Sequence, residues 1–125
     1  MRSTISTPSN ESKKKSSPYL KLFQAALGPR YTVDAEVKFH PTRRWRHDLQ
    51  VWKKLTDGTC PGGQVLAVEI DGGGFVGGRH GTGMGIERDC EKQAESLLMG
   101  FLYLRVTPRQ VKDGRAFQWV ERLLQ

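Results

Sequence analysis

At 125 residues, with 20 Lys or Arg and 13 Asp or Glu, the chain has the length of one domain with a real core rather than two. Its 37% hydrophobic content falls in short runs, which predicts neither a transmembrane span nor a secretory leader and points to a cytoplasmic protein with no membrane partner. The formal net charge of +7 favours a polyanionic partner, because clustered Lys and Arg release counterions from phosphates, and nucleic acid is the leading expectation.

Residues 1–16 are Ser-, Thr- and Lys-rich with little to bury, so a disordered basic arm is expected there and a single domain over 17–125. Ser17-Pro18 then has the form of an N-cap followed by an N1 proline. Leu20, Phe23, Ala26 and Leu27 recur at helical spacing until Gly28-Pro29 stops the run. From Val33 to His40 the residues alternate, with Val33, Ala35, Val37 and Phe39 on one face and acids and bases on the other. A second alternating run, Trp45 to Trp52, groups Trp45, His47, Leu49 and Val51 against Arg46, Asp48 and Gln50.

Asp-Gly and Pro-Gly-Gly within 56–63 predict a turn, and Val65 to Ile70 is an apolar run of the kind a central strand carries, interrupted only by Glu69. Asp71 to Gly85 holds eight glycines in fifteen residues, a density that predicts a long loop. Ile86, Cys90, Ala94, Leu97 and Leu98 then fall on one helical stripe, expected to face the core, with Gly100 as its stop. Phe101 to Val106 returns to strand composition. Thr107-Pro108 opens a short turn or helix, and Ala116 to Leu124 forms a last helix with Phe117, Val120, Leu123 and Leu124 inward. The order predicts an α/β fold, a mixed central sheet flanked by helices, with Val65 to Val106 as a right-handed crossover between parallel strands.

Three acids stand where propensity argues against them: Asp48 inside the second strand, and Glu69 and Asp71 at the end of the third. A buried carboxylate is costly unless it is paired or coordinates a cation. Pairing with the arginines of the basic stretch is one account. Hard oxygen ligands around an open position, as Mg²⁺ takes when it also meets phosphate, is the more economical one for all three. Zinc is disfavoured, because Cys60, Cys90, His40 and His80 show no paired ligand spacing.

Asp48, a variable loop and Val68-Glu69-Ile70-Asp71, in a helix, three strands, helix and strand order, resemble the split site of the PD-(D/E)XK nuclease superfamily, the restriction-endonuclease-like αβββαβ core. Phe39-His40-Pro41-Thr42-Arg43-Arg44-Trp45-Arg46-His47-Asp48 and Gly78-Arg79-His80 are similar to small single-domain phage and bacterial endonucleases of the very-short-patch repair type. The resemblance covers about Pro18 to Val106, with an extra C-terminal helix beyond it.

It implies a metal-dependent DNA endonuclease that leaves a 5′-phosphate. Mg²⁺, with Mn²⁺ as a substitute, would be held by Asp48, Glu69 and the Ile70 carbonyl, with Asp71 in metal binding or water activation and Glu36 as a further ligand. Where the family has Glu-x-Lys this chain has Glu69-Ile70-Asp71, so its strand lacks the lysine. Lys92 on the following helix is the expected replacement, with Gln93 as the alternative. His80 and Arg79 would reach the scissile phosphate from the glycine loop, and Lys38, Arg43, Arg44 and Arg46 would contact the DNA backbone. Trp45 or Trp52 would stack on a base. A homodimer is expected if both strands are cut. The competing expectation is a non-catalytic nucleic-acid-binding module that lost its chemistry with the motif lysine.

Overall fold

The computed structural model describes residues 17–54, 64–72 and 83–125. The expected arm at 1–16, the turn with Cys60 and most of the glycine loop, with Arg79 and His80, lie outside the described residues.

Helix α1 (Pro18–Leu27) begins where the sequence says it should: the Ser17 side chain accepts from the Tyr19 N–H, and Gly28, at φ 81°, ends the helix in a conformation that favours glycine. Strands β1 (Tyr31–Lys38) and β2 (Arg46–Lys53) pair antiparallel, β2 pairs antiparallel with β3 (Leu66–Ile70), and β3 pairs parallel with β4 (Leu102–Val106). The order β1-β2-β3-β4 makes a mixed four-stranded sheet with β1 and β4 at its edges. Helix α2 (Gly83–Leu98) is the crossover between β3 and β4. Short helix α3 (Pro108–Lys112) starts on a capping box, in which the Thr107 side chain takes the Gln110 N–H and Gln110 returns the bond to Thr107, and α4 (Arg115–Leu123) closes the chain. Among the described residues no helix is long and apolar enough to cross a membrane.

The core lies on one face of the sheet. Phe23 of α1, Leu49, Val51, Leu66 and Val68 of the sheet and Val120 of α4 are essentially inaccessible, and Phe23 meets Phe117 edge-on at 4.8 Å between ring centroids. Burying residues of this size contributes on the order of 1.5–3 kcal/mol each, which makes this face the main source of stability. Ala26 and Leu123, expected inward, are exposed.

Helix α2 corrects the sequence reading more deeply. Its apolar stripe faces outward: Ile86 is 52% exposed, Leu97 50% and Leu98 80%, and Cys90 is exposed as well. The opposite stripe, Asp89, Lys92 and Ser96, turns to the sheet, and Ser96 is completely buried. The helix therefore brings polar chemistry to the second face of the sheet instead of sealing it with hydrocarbon.

The strand periodicity also departs from expectation at one point. Gln50 and His47, three residues apart, share the α2 face and hydrogen-bond each other, although strict alternation would place them on opposite faces. His47 is accordingly separated from Leu49 and Val51, with which the sequence groups it. The slip falls at Asp48, opposite Glu36, whose φ of 55° is in the left-handed region that a residue with a Cβ rarely enters. Such a backbone conformation costs on the order of 1–3 kcal/mol, and it is retained beside the acid that the sequence singles out.

Candidate functional site

At the C-terminal ends of β3 and β4 a cavity of about 250 Å³ is lined by Asp48, Glu69, Ile70, Asp71, Asp89, Lys92, Tyr103 and Arg105. Each wall has a simple origin. β2 delivers Asp48 at its phase slip, β3 ends in Glu69-Ile70 with Asp71 directly after it, the parallel register puts Arg105 of β4 beside Glu69, and the polar stripe of α2 brings Asp89 and Lys92.

The Asp48 carboxylate accepts the Ile70 N–H at 2.8 Å, which ties the end of β3 to β2. Glu69 and Lys92 form an ion pair, Nζ 2.9 Å from Oε2, with their side chains only 13% and 18% exposed. The Lys92 ammonium is thus the immediate partner of the buried Oε2. Burial, followed by repulsion from Asp48, pushes the Glu69 carboxyl up to about 7 against the opposing pull of Lys92. Tyr103 is displaced upward as well, by burial and then by the Glu69 charge, so its hydroxyl stays protonated and can donate.

Asp71 is directed elsewhere: its carboxylate accepts from Arg105 Nη2 at 2.8 Å, and the same nitrogen stands 3.7 Å from Asp89. Glu36 is exposed and lines a neighbouring cavity that it shares with Asp48, Ile70 and Gly72, apart from Glu69. Gly72 is buried, and a Cβ there would collide with the Pro108 ring.

Behind the cavity runs a buried polar chain. Gln50 Nε2 donates to His47 Nδ1 at 3.0 Å, which leaves the proton of the neutral ring on Nε2 to be given to Ser96 Oγ at 2.9 Å. Ser96 in turn donates to the backbone carbonyl of Lys92 at 2.9 Å. His47 and Ser96 are both 0% exposed. Burial, then the positive charge of Lys92, lowers the His47 pKa to about 4, so the ring stays neutral in this role. Phe39 stacks on it at 3.7 Å between centroids.

The basic residues Lys38, Arg43, Arg44 and Arg46 are all exposed around the turn between β1 and β2. His40 organises that turn by accepting the N–H groups of Thr42 and Arg43 on Nδ1, while its Nε2 faces Glu95 at 3.2 Å. The Arg43 guanidinium covers the Trp45 ring at 3.9 Å and reaches Glu91 at 3.4 Å, so the turn leans against α2. Trp52 is half-buried near the far end of β2.

Of the expected site residues, Asp48, Glu69, Ile70, Asp71 and Lys92 share one cavity, while Glu36 and the four basic residues of the β1–β2 region do not line it. Sequence reasoning missed Tyr103, Arg105, Asp89 and the His47–Ser96 chain. The signal for the last two was present as Asp89, Lys92 and Ser96 at i, i+3 and i+7, a polar stripe opposite the apolar one.

The donors suit a hard divalent cation. Asp48 and Glu69 share a partly buried cavity, and among the described residues its lining carries four acids against Lys92 and Arg105. No group of three or more His, Cys, Asp or Glu ligands is assembled among the described residues, so any cation would complete its shell with backbone oxygen, water or substrate. Comparison with protein-family models, with curated proteins and with solved structures finds no match to the chain.

Proposed function

We propose that the chain is a metal-dependent DNA endonuclease hydrolysing phosphodiester bonds at the Asp48–Glu69–Lys92 cavity. The observation that carries the reading is the placement of Lys92: a lysine from α2 lies against the strand acid, at 2.9 Å, in a chain whose strand lacks its own. Asp48, Glu69 and the Ile70 carbonyl would hold Mg²⁺ or Mn²⁺. When bound, the cation supplies a water of lowered pKa and neutralises charge on the phosphate.

The chain's own residues account for the remaining requirements. Glu69 and Asp48 concentrate negative charge where a cation must sit, and Lys92 keeps Glu69 from being wholly protonated near neutral pH. The Lys92 ammonium, held beside Glu69 on the cavity wall, would orient the attacking water. Tyr103 offers a hydroxyl donor on the cavity wall. The exposed arginines around the β1–β2 turn supply sequence-independent attraction to phosphates.

Supercoiled plasmid and branched DNA incubated with the protein in Mg²⁺, Mn²⁺ or EDTA test the proposal. Cleavage is expected with either metal, with none in EDTA, and the Asp48→Ala and Glu69→Ala variants should be inactive while binding DNA as well as the parent or better. Salt-dependent DNA binding with no cleavage in either metal would leave the non-catalytic binding module as the reading; cleavage by both variants at the parental rate would move the site elsewhere.

A further inference from the structure

Arg105 is absorbed by neither the metal site nor the basic turn. Among the described residues it is the only cation besides Lys92 on the wall of the cavity, with a side chain 35% exposed. Two carboxylates hold it from one end: Asp71 at 2.8 Å and Asp89 at 3.7 Å both meet the same terminal nitrogen, Nη2. A guanidinium carries five N–H groups in a rigid plane, and Nη2 belongs to both of its bidentate edges, so with Nη2 engaged by the acids Nε and Nη1 keep N–H groups that donate singly from different sides. Each can donate a charge-assisted hydrogen bond to a phosphate oxygen.

The register supplies the location. Arg105 is the parallel-strand partner of Glu69, so the two side chains emerge side by side on the same face of the sheet. Asp71, two residues after Glu69, continues alongside β4, its N–H donating to the Val106 carbonyl at 2.7 Å, and its carboxylate meets Arg105 there.

We infer that Arg105 is the residue that binds the scissile phosphodiester, held in place by Asp71 and Asp89. Asp71 is then a positioning residue acting on Arg105 instead of a ligand for metal. The inference rests on the nuclease reading for the identity of the phosphate, and it assigns the substrate-binding group that this reading lacks.

The test compares the full-length parent with Arg105→Ala, Arg105→Lys and Asp71→Asn in two assays. Single-turnover cleavage in Mg²⁺ should fall by about 10²-fold or more in Arg105→Ala, the scale of removing one preorganised charge from the reacting group, with partial rescue in Arg105→Lys and a smaller, several-fold loss in Asp71→Asn. Duplex binding, followed by fluorescence anisotropy in EDTA over a series of salt concentrations, should show the slope of log K against log salt reduced by about 0.9 in Arg105→Ala, the signature of one lost phosphate contact. A purely structural arginine would lower the melting temperature and leave that slope unchanged, which overturns the inference, as does an Arg105→Ala protein that cuts at the parental rate. If the parent cuts no DNA, the nuclease reading fails, and the salt slope still decides whether Arg105 binds phosphate.

Discussion

Lys92 and Glu69 meet across the boundary between α2 and the sheet, Nζ 2.9 Å from Oε2, because the helix packs with its polar stripe inward and its leucines to solvent. A helix turned the other way would bury more hydrocarbon and carry Lys92 away from the acids. The packing that is less favourable for the core is the one that assembles the site.

That pairing gives the most direct prediction. Lys92→Ala should lower single-turnover cleavage by roughly 10²-fold, the scale of losing a proton-transfer or charge-stabilising group, while DNA affinity changes little. Lys92→Ala cutting within twofold of the parent would assign water activation to the cation and its acids alone. Gln93→Ala, measured alongside, should be near parental.

The His47–Ser96–Lys92 carbonyl chain predicts a positional effect behind the site. Ser96→Ala removes a hydroxyl that both accepts from His47 and donates to the helix backbone, leaving the buried His47 N–H unpaired at a cost of about 1–3 kcal/mol. Stability by denaturant titration should fall by that amount and cleavage should fall with it, whereas Ser96→Thr, which keeps the hydroxyl, should recover most of the cleavage rate. Equal stability in Ser96→Ala and the parent would show that the chain contributes nothing to the seating of α2.

Much of the framework was legible because its signals are local. Ser17 and Thr107 cap the helices they announce, Gly28 stops α1, and the apolar run around Val68 is the inner strand it looks to be. What failed were inferences from periodicity. The stripe of Ile86, Leu97 and Leu98 is a correct reading of the sequence and a wrong reading of which face is buried, since an amphipathic pattern gives an axis and not a direction. The alternation along β2 misassigned His47 because the backbone slips at Asp48, opposite Glu36, and no composition signal marks such a slip. Arg105 escaped notice because its importance comes from the β3–β4 register, which brings together residues 36 positions apart.

The basic turn yields an ionic prediction. Arg43 and Arg44 are both exposed, and Arg43 is held over Trp45, so neutralising both should reduce the slope of log K against log salt by about 2 for duplex DNA and weaken binding similarly for all sequences. An unchanged slope would place the DNA path away from this turn.

The acid–base behaviour of the metal-free protein offers a final test, because two buried groups shift in opposite senses. Glu69, raised from 4.5 to about 7, binds its proton more tightly in the folded state, so its contribution to stability is present at low pH and is lost as pH rises from about 4.5 to 7. His47, lowered from 6.5 to about 4, is neutral when folded, so its contribution is present above the unfolded value and is lost as pH falls from about 6.5 to 4. The two slopes oppose each other between pH 4.5 and 6.5, and the parent protein in EDTA should show a nearly flat stability there. Glu69→Gln removes one of them. That variant should lose stability steadily on acidification over this window, by a few kcal/mol at most, as measured by urea midpoints at successive pH values. A Glu69→Gln profile as flat as the parent's would mean that the folded protein does not hold Glu69 protonated against a neutral His47, and the electrostatic description of the cavity would have to be abandoned.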